Sequence, residues 1–241
     1  MKPHLIALCV LRFCPALMAG DWLELFDGES LAGWSVQCQS EDKGKGYWTA
    51  QEGYIQCDSM GDKDHDYVWL QYDREFSDFE LRLEFRAFRE SKGNSGVQFR
   101  SRYDPSPDAP RGGWLDGPQA DIHPHGPFRN GLIYDETRTE KRWISPSLPD
   151  WRITPEQGAQ TYKFHFSDEG NGWNQMVIRC EGNRVQTWVN GVQVRDWDGS
   201  GVLDSEGHQR HRVGRSGFIA LQLHSKDELK IHFQNLKLKE L

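Results

Sequence analysis

Four short segments of this chain place amides, acids, guanidinium groups and an imidazole at every second position. In Val97-Gln98-Phe99-Arg100 the polar positions are Gln98 and Arg100; in Gln119-Ala120-Asp121-Ile122 they are Gln119 and Asp121; in Leu221-Gln222-Leu223-His224 they are Gln222 and His224. Segment 79–86 alternates in the same way, with Arg82, Glu84 and Arg86 set between Leu81, Leu83 and Phe85. Side chains two apart on a strand share a face, so apolar residues turned to a core force these polar ones out together on the other side. An ordinary solvated sheet face carries more Thr, Ser and Lys. This set can donate to and accept from vicinal hydroxyls, the hydrogen-bonding pattern of a sugar. The competing reading is a plain polar exterior laced by cross-strand ion pairs, which Glu80, Arg82, Glu84 and Arg86 could supply among themselves.

His224 ends its strand on the polar face and titrates near neutral pH, which suits a general base or a metal ligand. Trp114, Trp143, Trp151 and Trp173 lie in polar or glycine-rich surroundings. An indole offers a flat apolar face to the C–H side of a pyranose, although any single Trp more often packs in a core. His123 and His125, in His-Pro-His, follow Asp121 and read as solvent-loop residues rather than ligands. His65 among Asp62, Asp64 and Asp66 lacks the closing glutamate and the glycine of a calcium loop and reads as a solvated acidic turn. The chain has no nucleophile elbow, phosphate-cradling glycine loop, dinucleotide fingerprint or His-Glu-x-x-His, which argues against a redox activity of its own.

The elements that must position these residues are strands. After 79–86 and 97–100, strand patterns recur at 119–122, 131–134, 162–166, 174–180, 185–189, 192–197, 217–224 and 229–238, with shorter ones near 47–49, 54–57 and 68–70. Asn190-Gly191 predicts a tight primed hairpin, and Gly93-Asn94-Ser95-Gly96 predicts a turn before 97–100. Segments 103–118 and 138–160 read as long irregular loops, which in a compact domain are usually functional rims. Many short strands without intervening helices predict an all-β chain of antiparallel sheets, either a sandwich or a barrel, and one domain over residues 21–241 of a 241-residue chain.

Residues 1–20 read as a secretory leader: Lys2, then an apolar stretch, then Ala19 and Gly20 before Asp21. A lipid anchor on Cys9 or Cys14 is disfavoured, because neither follows a clean lipobox. The expected location is therefore exported, periplasmic or extracellular. The 29 Lys and Arg against 36 Asp and Glu leave a net charge of −7, and losing Lys2 and Arg12 makes the remainder more acidic. Such a surface repels polyphosphates and anionic bilayers, so neither nucleic acid nor membrane insertion is expected. Beyond the leader, Cys38, Cys57 and Cys180 allow at most one bridge; the expected one is Cys38 to Cys57, against three buried free thiols.

Six motifs in order resemble the 3-keto-disaccharide hydrolase family: Asn94-Ser95-Gly96-Val97-Gln98-Phe99-Arg100, Gly117-Pro118-Gln119-Ala120-Asp121-Ile122, Gly131-Leu132-Ile133-Tyr134-Asp135-Glu136, Trp173-Asn174, Val189-Asn190-Gly191-Val192 and Gly217–His224 read through Phe218-Ile219-Ala220-Leu221-Gln222-Leu223. The opening Leu25-Phe26-Asp27-Gly28 and Gly33-Trp34 fit as well. The resemblance implies a concanavalin A-like jelly roll that cleaves 3-keto-glycosides, whose C3 a separate oxidoreductase has oxidised, by elimination and hydration. It makes His224 the base, with Asp121 or Glu84 as its partner. Asn94, Gln98, Arg100, Gln119, Tyr134, Glu136, Trp173 and Gln222 become substrate contacts. No cofactor is certain; a divalent metal ion would have Asp121 and His224 as candidate ligands. Gln119-x-Asp121 departs from the Glu-x-Gln of many relatives. A non-catalytic carbohydrate-binding module on the same sandwich is the alternative. A retaining glucanase ranks last, since it needs two carboxylates about 5 Å apart and the chain has no Glu-x-Asp-x-x-Glu.

Overall fold

The computed structural model describes residues 21–158 and 161–241; residues 1–20, the expected leader with Cys9 and Cys14, lie outside the described residues. The strands in chain order are β1 (Leu23–Glu24), β2 (Trp34–Cys38), β3 (Trp48–Gln51), β4 (Tyr54–Asp58), β5 (Val68–Tyr72), β6 (Phe79–Ala87), β7 (Ser95–Asp104) and β8 (Trp114–Asp116). The remainder are β9 (Pro118–Ile122), β10 (Ile133–Asp135), β11 (Arg142–Ser145), β12 (Asn174–Glu181), β13 (Arg184–Val189), β14 (Val192–Asp198), β15 (Phe218–Leu223) and β16 (Lys230–Glu240). They form two antiparallel sheets. The first runs β14-β13-β12-β6-β16-β4-β3 with β1 against β16, and the second runs β11-β10-β9-β7-β15-β5-β2 with β8 against β7. The two pack face to face as a jelly-roll sandwich of the concanavalin A-like kind.

Alternation fills the space between the sheets. Phe79, Leu81, Leu83 and Phe85 of β6 meet Val97, Phe99, Ala120, Ile122, Leu221 and Leu223 of the second sheet in one buried core. Each fully buried Leu or Phe is worth about 1.5–3 kcal/mol relative to exposure, so a one-residue slip that turned such a strand over would forfeit its whole set. The register is pinned locally as well: Asn190 and Gly191 take φ +49° and +79° between the paired Val189 and Val192, the primed hairpin that Asn-Gly favours.

Several segments differ from the sequence expectation. Segment 103–118 is not structureless: it folds back so that β8 pairs with β7, Tyr103 opposite Leu115. Its reward is a second apolar cluster on the outer face, in which Trp69, Trp114, Leu115, Ala109 and Ala220 are buried. Segment 138–160 likewise contains β11 and a helical turn at Pro155–Gly158. Segment 162–166 is no strand, only a parallel bridge from Phe166 to Ala87. The expected turn at 93–96 is half strand, with Ser95 and Gly96 opposite Ile122 and Asp121. A short helix, Glu206–His211, has no counterpart in the periodicity; Ser205 caps it, and it buries His208 within 2.9 Å of the Asp135 carboxylate. Cys38, Cys57 and Cys180 are free and buried. The expected Cys38–Cys57 bridge does not form, and β2 and β4 are not neighbouring strands but lie in different sheets.

Candidate active site

The side of the second sheet turned away from the core holds a pocket of about 440 Å³, within the range of small-molecule sites. Its floor is set by strand register. Tyr134 lies opposite Gln119, Gln119 opposite Gln98, and Asp121 opposite Gly96. A Cβ built on Gly96 would stand 2.3 Å from the Gln119 carboxamide carbon, so this position is a glycine because the Gln119 side chain occupies the space above it. Asn94, Gln119, Asp121, Tyr134, Glu136 and His224, all expected from the sequence, line this one pocket.

His224 sits where β15 runs out into the turn to β16. Its Nδ1 faces Ser225 O at 3.1 Å and Asp227 Oδ2 at 3.3 Å, both acceptors, so Nδ1 carries the proton. That leaves Nε2 to accept from the Tyr67 hydroxyl at 3.0 Å. Asp227 is itself held by the Asn94 backbone N–H at 2.8 Å. Burial works against protonating His224, but the bond and charge of Asp227 and then the charge of Glu136 outweigh it, so its pKa lies above the ordinary histidine value. Burial also pushes Tyr67 up, keeping it a phenol. The partner of His224 is thus Asp227, three residues along the same turn, and neither Asp121 nor Glu84.

Asp121 has a different commitment. Its side chain is 1 % exposed and takes Arg129 Nε at 2.9 Å, with Gln119 Nε2 at 3.5 Å. Glu136 is raised by burial, against the opposing charges of Lys141 and His224 and the nearby Gln222 amide. Trp114 Nε1 donates to the Glu136 carbonyl at 2.8 Å, so the second apolar cluster fixes the backbone from which this carboxyl projects. Lys141 takes a left-handed φ of +42°, a conformation that costs a non-glycine residue energy and is often found at functional sites. Its Nζ stands 3.6 Å above the Trp114 ring. Among the described residues no three His, Cys, Asp or Glu side chains gather to hold a metal ion. Asp121 and His224 are therefore short of the three protein ligands of a catalytic zinc site.

Other expected site residues lie elsewhere. Gln98 and Gln222 do emerge on the outer face, but both are fully buried. Gln98 Nε2 is capped by Leu115 O at 3.1 Å, because β8 covers that end of the sheet. Arg100 does not face the pocket: its φ is +49°, the alternation breaks there, and its guanidinium bonds Ser77 O, Gly182 O and Asp78. It ties together loops at one end of the sandwich. Glu84 projects from the outer face of the first sheet, where it accepts from Gln234 and Asn235, each at 2.8 Å. On that same face Arg82 pairs with Glu80 at 2.6 Å, and Trp173 lies under the Arg86 guanidinium at 4.3 Å. That face is a polar exterior, as the competing reading had it, although Glu84 and Arg86 make no ion pair there among the described residues and the cross-strand pair is Arg179 with Glu80 at 3.4 Å; Glu84 and Trp173 lie on the sheet opposite the pocket.

Conversely, Tyr67, His123, Arg129, Lys141 and Asp227 line the pocket without having been assigned to it, and so does Trp151, one of the four indoles considered as sugar platforms. His123 is no solvent-loop residue: burial lowers its pKa, and its Nδ1 is buried without a hydrogen-bond partner. Nor is His65 solvated. It is 5 % exposed and bonds Asp66 O at 2.7 Å and Asp227 O at 3.0 Å, bracing the turn that carries Asp227. The one available signal was the His224-Ser225-Lys226-Asp227 spacing; loops from distant parts of the chain supply the rest.

A family model described as the 3-keto-alpha-glucoside-1,2-lyase-like domain matches residues 21–239. A search of curated proteins found no match. Among solved structures, a Parabacteroides distasonis protein provisionally described as a glycosyl hydrolase shares 21 % identity at a TM-score of 0.57, covering 91 % of this chain and 94 % of its own. A structure described with the endo-acting O-glycanases of human gut bacteria that initiate mucin breakdown has 12 % identity and a TM-score of 0.58, covering 93 % of this chain and 100 % of its own. The Emp46p carbohydrate recognition domain has 12 % identity and a TM-score of 0.53, covering 91 % and 98 %. At these identities the likeness is one of fold.

Proposed function

The chain belongs to the 3-keto-alpha-glucoside-1,2-lyase-like family, and from that premise we propose that it cleaves 3-keto-glycosides by removing the C2 proton, expelling the C1 substituent and adding water. A ketone at C3 acidifies the C2 proton, so the step calls for a positioned base and something to hold the charge that develops on the C3 oxygen. His224 is the base. The observation that carries this reading is the His224 imidazole itself, with Nδ1 on Asp227 and Ser225 and Nε2 turned toward the pocket at Tyr67.

In the first half-reaction Nε2 takes the C2 proton and the C–H pair becomes the C2–C3 double bond of an enediolate. Once protonated, Nε2 no longer accepts from Tyr67, and the freed phenol turns with the Lys141 ammonium to stabilise the enediolate oxygen. The charge then returns, a C1–C2 double bond forms and the C1–O bond breaks. Glu136, whose pKa burial raises, donates to the leaving oxygen. In the second half the Glu136 carboxylate takes a proton from the water that adds at C1, and protonated His224 returns a proton to C2, which restores both groups. Asn94, Gln119 and Tyr134 hold ring hydroxyls, and the Arg129–Asp121 pair fixes the wall. The substrate comes from a separate oxidoreductase that oxidises C3, and the leader sequence suggests that the reaction takes place outside the cytoplasm.

The test is His224→Ala on a purified 3-keto-glycoside, with Glu84→Gln as control. Turnover is expected to vanish in the first variant, with melting temperature retained, and to persist in the second. A His224→Ala enzyme near the wild-type rate refutes the base assignment. A wild-type protein that binds the ketone but leaves it intact makes the domain a carbohydrate-binding module instead.

A further inference from the structure

Trp151 stands at the mouth of the pocket with 66 % of its surface exposed, the most open of the large apolar side chains among the described residues. Its backbone is nevertheless fixed. Trp143 Nε1 donates to Trp151 O at 2.8 Å, and Trp143 N donates to Asp150 O at 3.3 Å. Asp150 also takes the Arg152 backbone N–H at 2.7 Å. Trp143, the anchor, is fully buried and packs edge-on against Tyr134 at 5.3 Å. The loop after β11 is thus stapled to the pocket wall while its indole is left in water. The Arg152 guanidinium lies over the indole at 5.5 Å, and the ring is otherwise open to solvent, so an indole on a fixed backbone at the rim of a polar pocket offers a surface for a flat, partly apolar ligand.

The position of that ring in the sheet says which part of the ligand it meets. His224 ends β15 and Trp151 follows β11, and these strands are separated by β7, β9 and β10. Four inter-strand steps at about 4.8 Å each set the two strand axes roughly 19 Å apart. Trp151 is tied through its carbonyl to Trp143 of β11, and both residues line one pocket of about 440 Å³, so the pocket reaches across the sheet from the β15 side to the β11 side. The ring that undergoes chemistry lies at His224, and Glu136, assigned above to the leaving oxygen, follows β10, the neighbour of β11, so the β11 end receives what is attached at C1. We propose that Trp151 forms a leaving-group subsite, and that the substrates are glycosides whose aglycone is itself a ring, a second sugar or an aryl group, stacked on the indole. The assignment of ends rests on the function proposed above; the stacking does not.

The experiment compares 3-ketomaltose with methyl 3-keto-α-glucoside in wild type, Trp151→Phe and Trp151→Ala, alongside calorimetric titration with unoxidised maltose. Trp151→Ala is expected to lower kcat/KM for the disaccharide about 3- to 10-fold, mostly through KM, and to leave the methyl glycoside within about 2-fold. Trp151→Phe should recover most of the loss, and maltose binding should weaken in parallel. Equal effects on both ketones, or no effect on either, overturn the subsite. If wild type leaves both ketones intact, the catalytic reading falls, and the maltose titration alone decides the stacking: affinity unchanged in Trp151→Ala refutes it, and weakened affinity sustains it.

Discussion

Gly96→Ala tests the pocket floor most directly. Gly96 is not among the residues with positive φ, so alanine meets no backbone penalty there; the cost is steric. The new methyl carbon would stand 2.3 Å from Gln119 Cδ and 2.6 Å from both Cγ and Nε2, where non-bonded carbon atoms settle at about 3.5–4.0 Å. The carboxamide must therefore retreat by more than about 1 Å, yet Gln119 is 2 % exposed and lies between the strands bearing Gln98 and Tyr134. Overpacking of this kind costs about 1–3 kcal/mol. At about 2–4 °C per kcal/mol for a chain of this size, the melting temperature should fall roughly 2–12 °C. Because Gln119 also touches Asp121, activity should fall with it. The decisive assay is a double-mutant cycle by chemical denaturation. In a Gln119→Ala background the obstacle is gone, and Gly96→Ala should become nearly neutral, giving a coupling energy above about 0.5 kcal/mol. Additive effects would mean that Gly96 is there for some reason other than making room for Gln119.

Asp227→Asn removes the charge that raises His224 and leaves burial, which lowers it. A base must be neutral, so wild-type kcat/KM should climb as pH rises through a value above that of ordinary histidine, and the variant's acid limb should shift to lower pH with a reduced plateau; an unmoved limb would disconnect His224 from the profile. The wild-type pair also contributes stability below the unfolded histidine pKa that fades as pH rises through the folded one, so the variant should lose stability chiefly on the acid side, as pH-dependent melting would reveal. Lys141→Met keeps an apolar stem over Trp114 and deletes the cation; kcat on a 3-keto-glycoside should drop by about 100-fold or more, and a change under 3-fold would free Lys141 from any part in holding the enediolate.

The period-two pattern alone determined antiparallel sheets and the sidedness of their strands; that they close as a two-sheet sandwich and not a barrel only the strand pairing decided. Once Val97, Ala120 and Leu221 turn inward, Gln98, Gln119 and Gln222 have no choice of face, and that constraint is local. It could not say which outer face would be open. Segments 79–86 and 119–122 look alike as strings, yet one is an ion-paired exterior and the other a pocket floor, because β6 and β9 belong to opposite sheets. Nor could alternation foresee that β8 would fold over Gln98, or that a left-handed Arg100 would break the alternation and turn its guanidinium toward the loops at one end. The pocket walls come from turns whose sequences carry no period: Tyr67, His123, Lys141, Trp151 and Asp227 meet only after long-range strand pairing has brought their loops together. Side-chain facing is fixed by the pleat within one strand, whereas a site is fixed by which strands become neighbours, and that is a property of the whole packed chain.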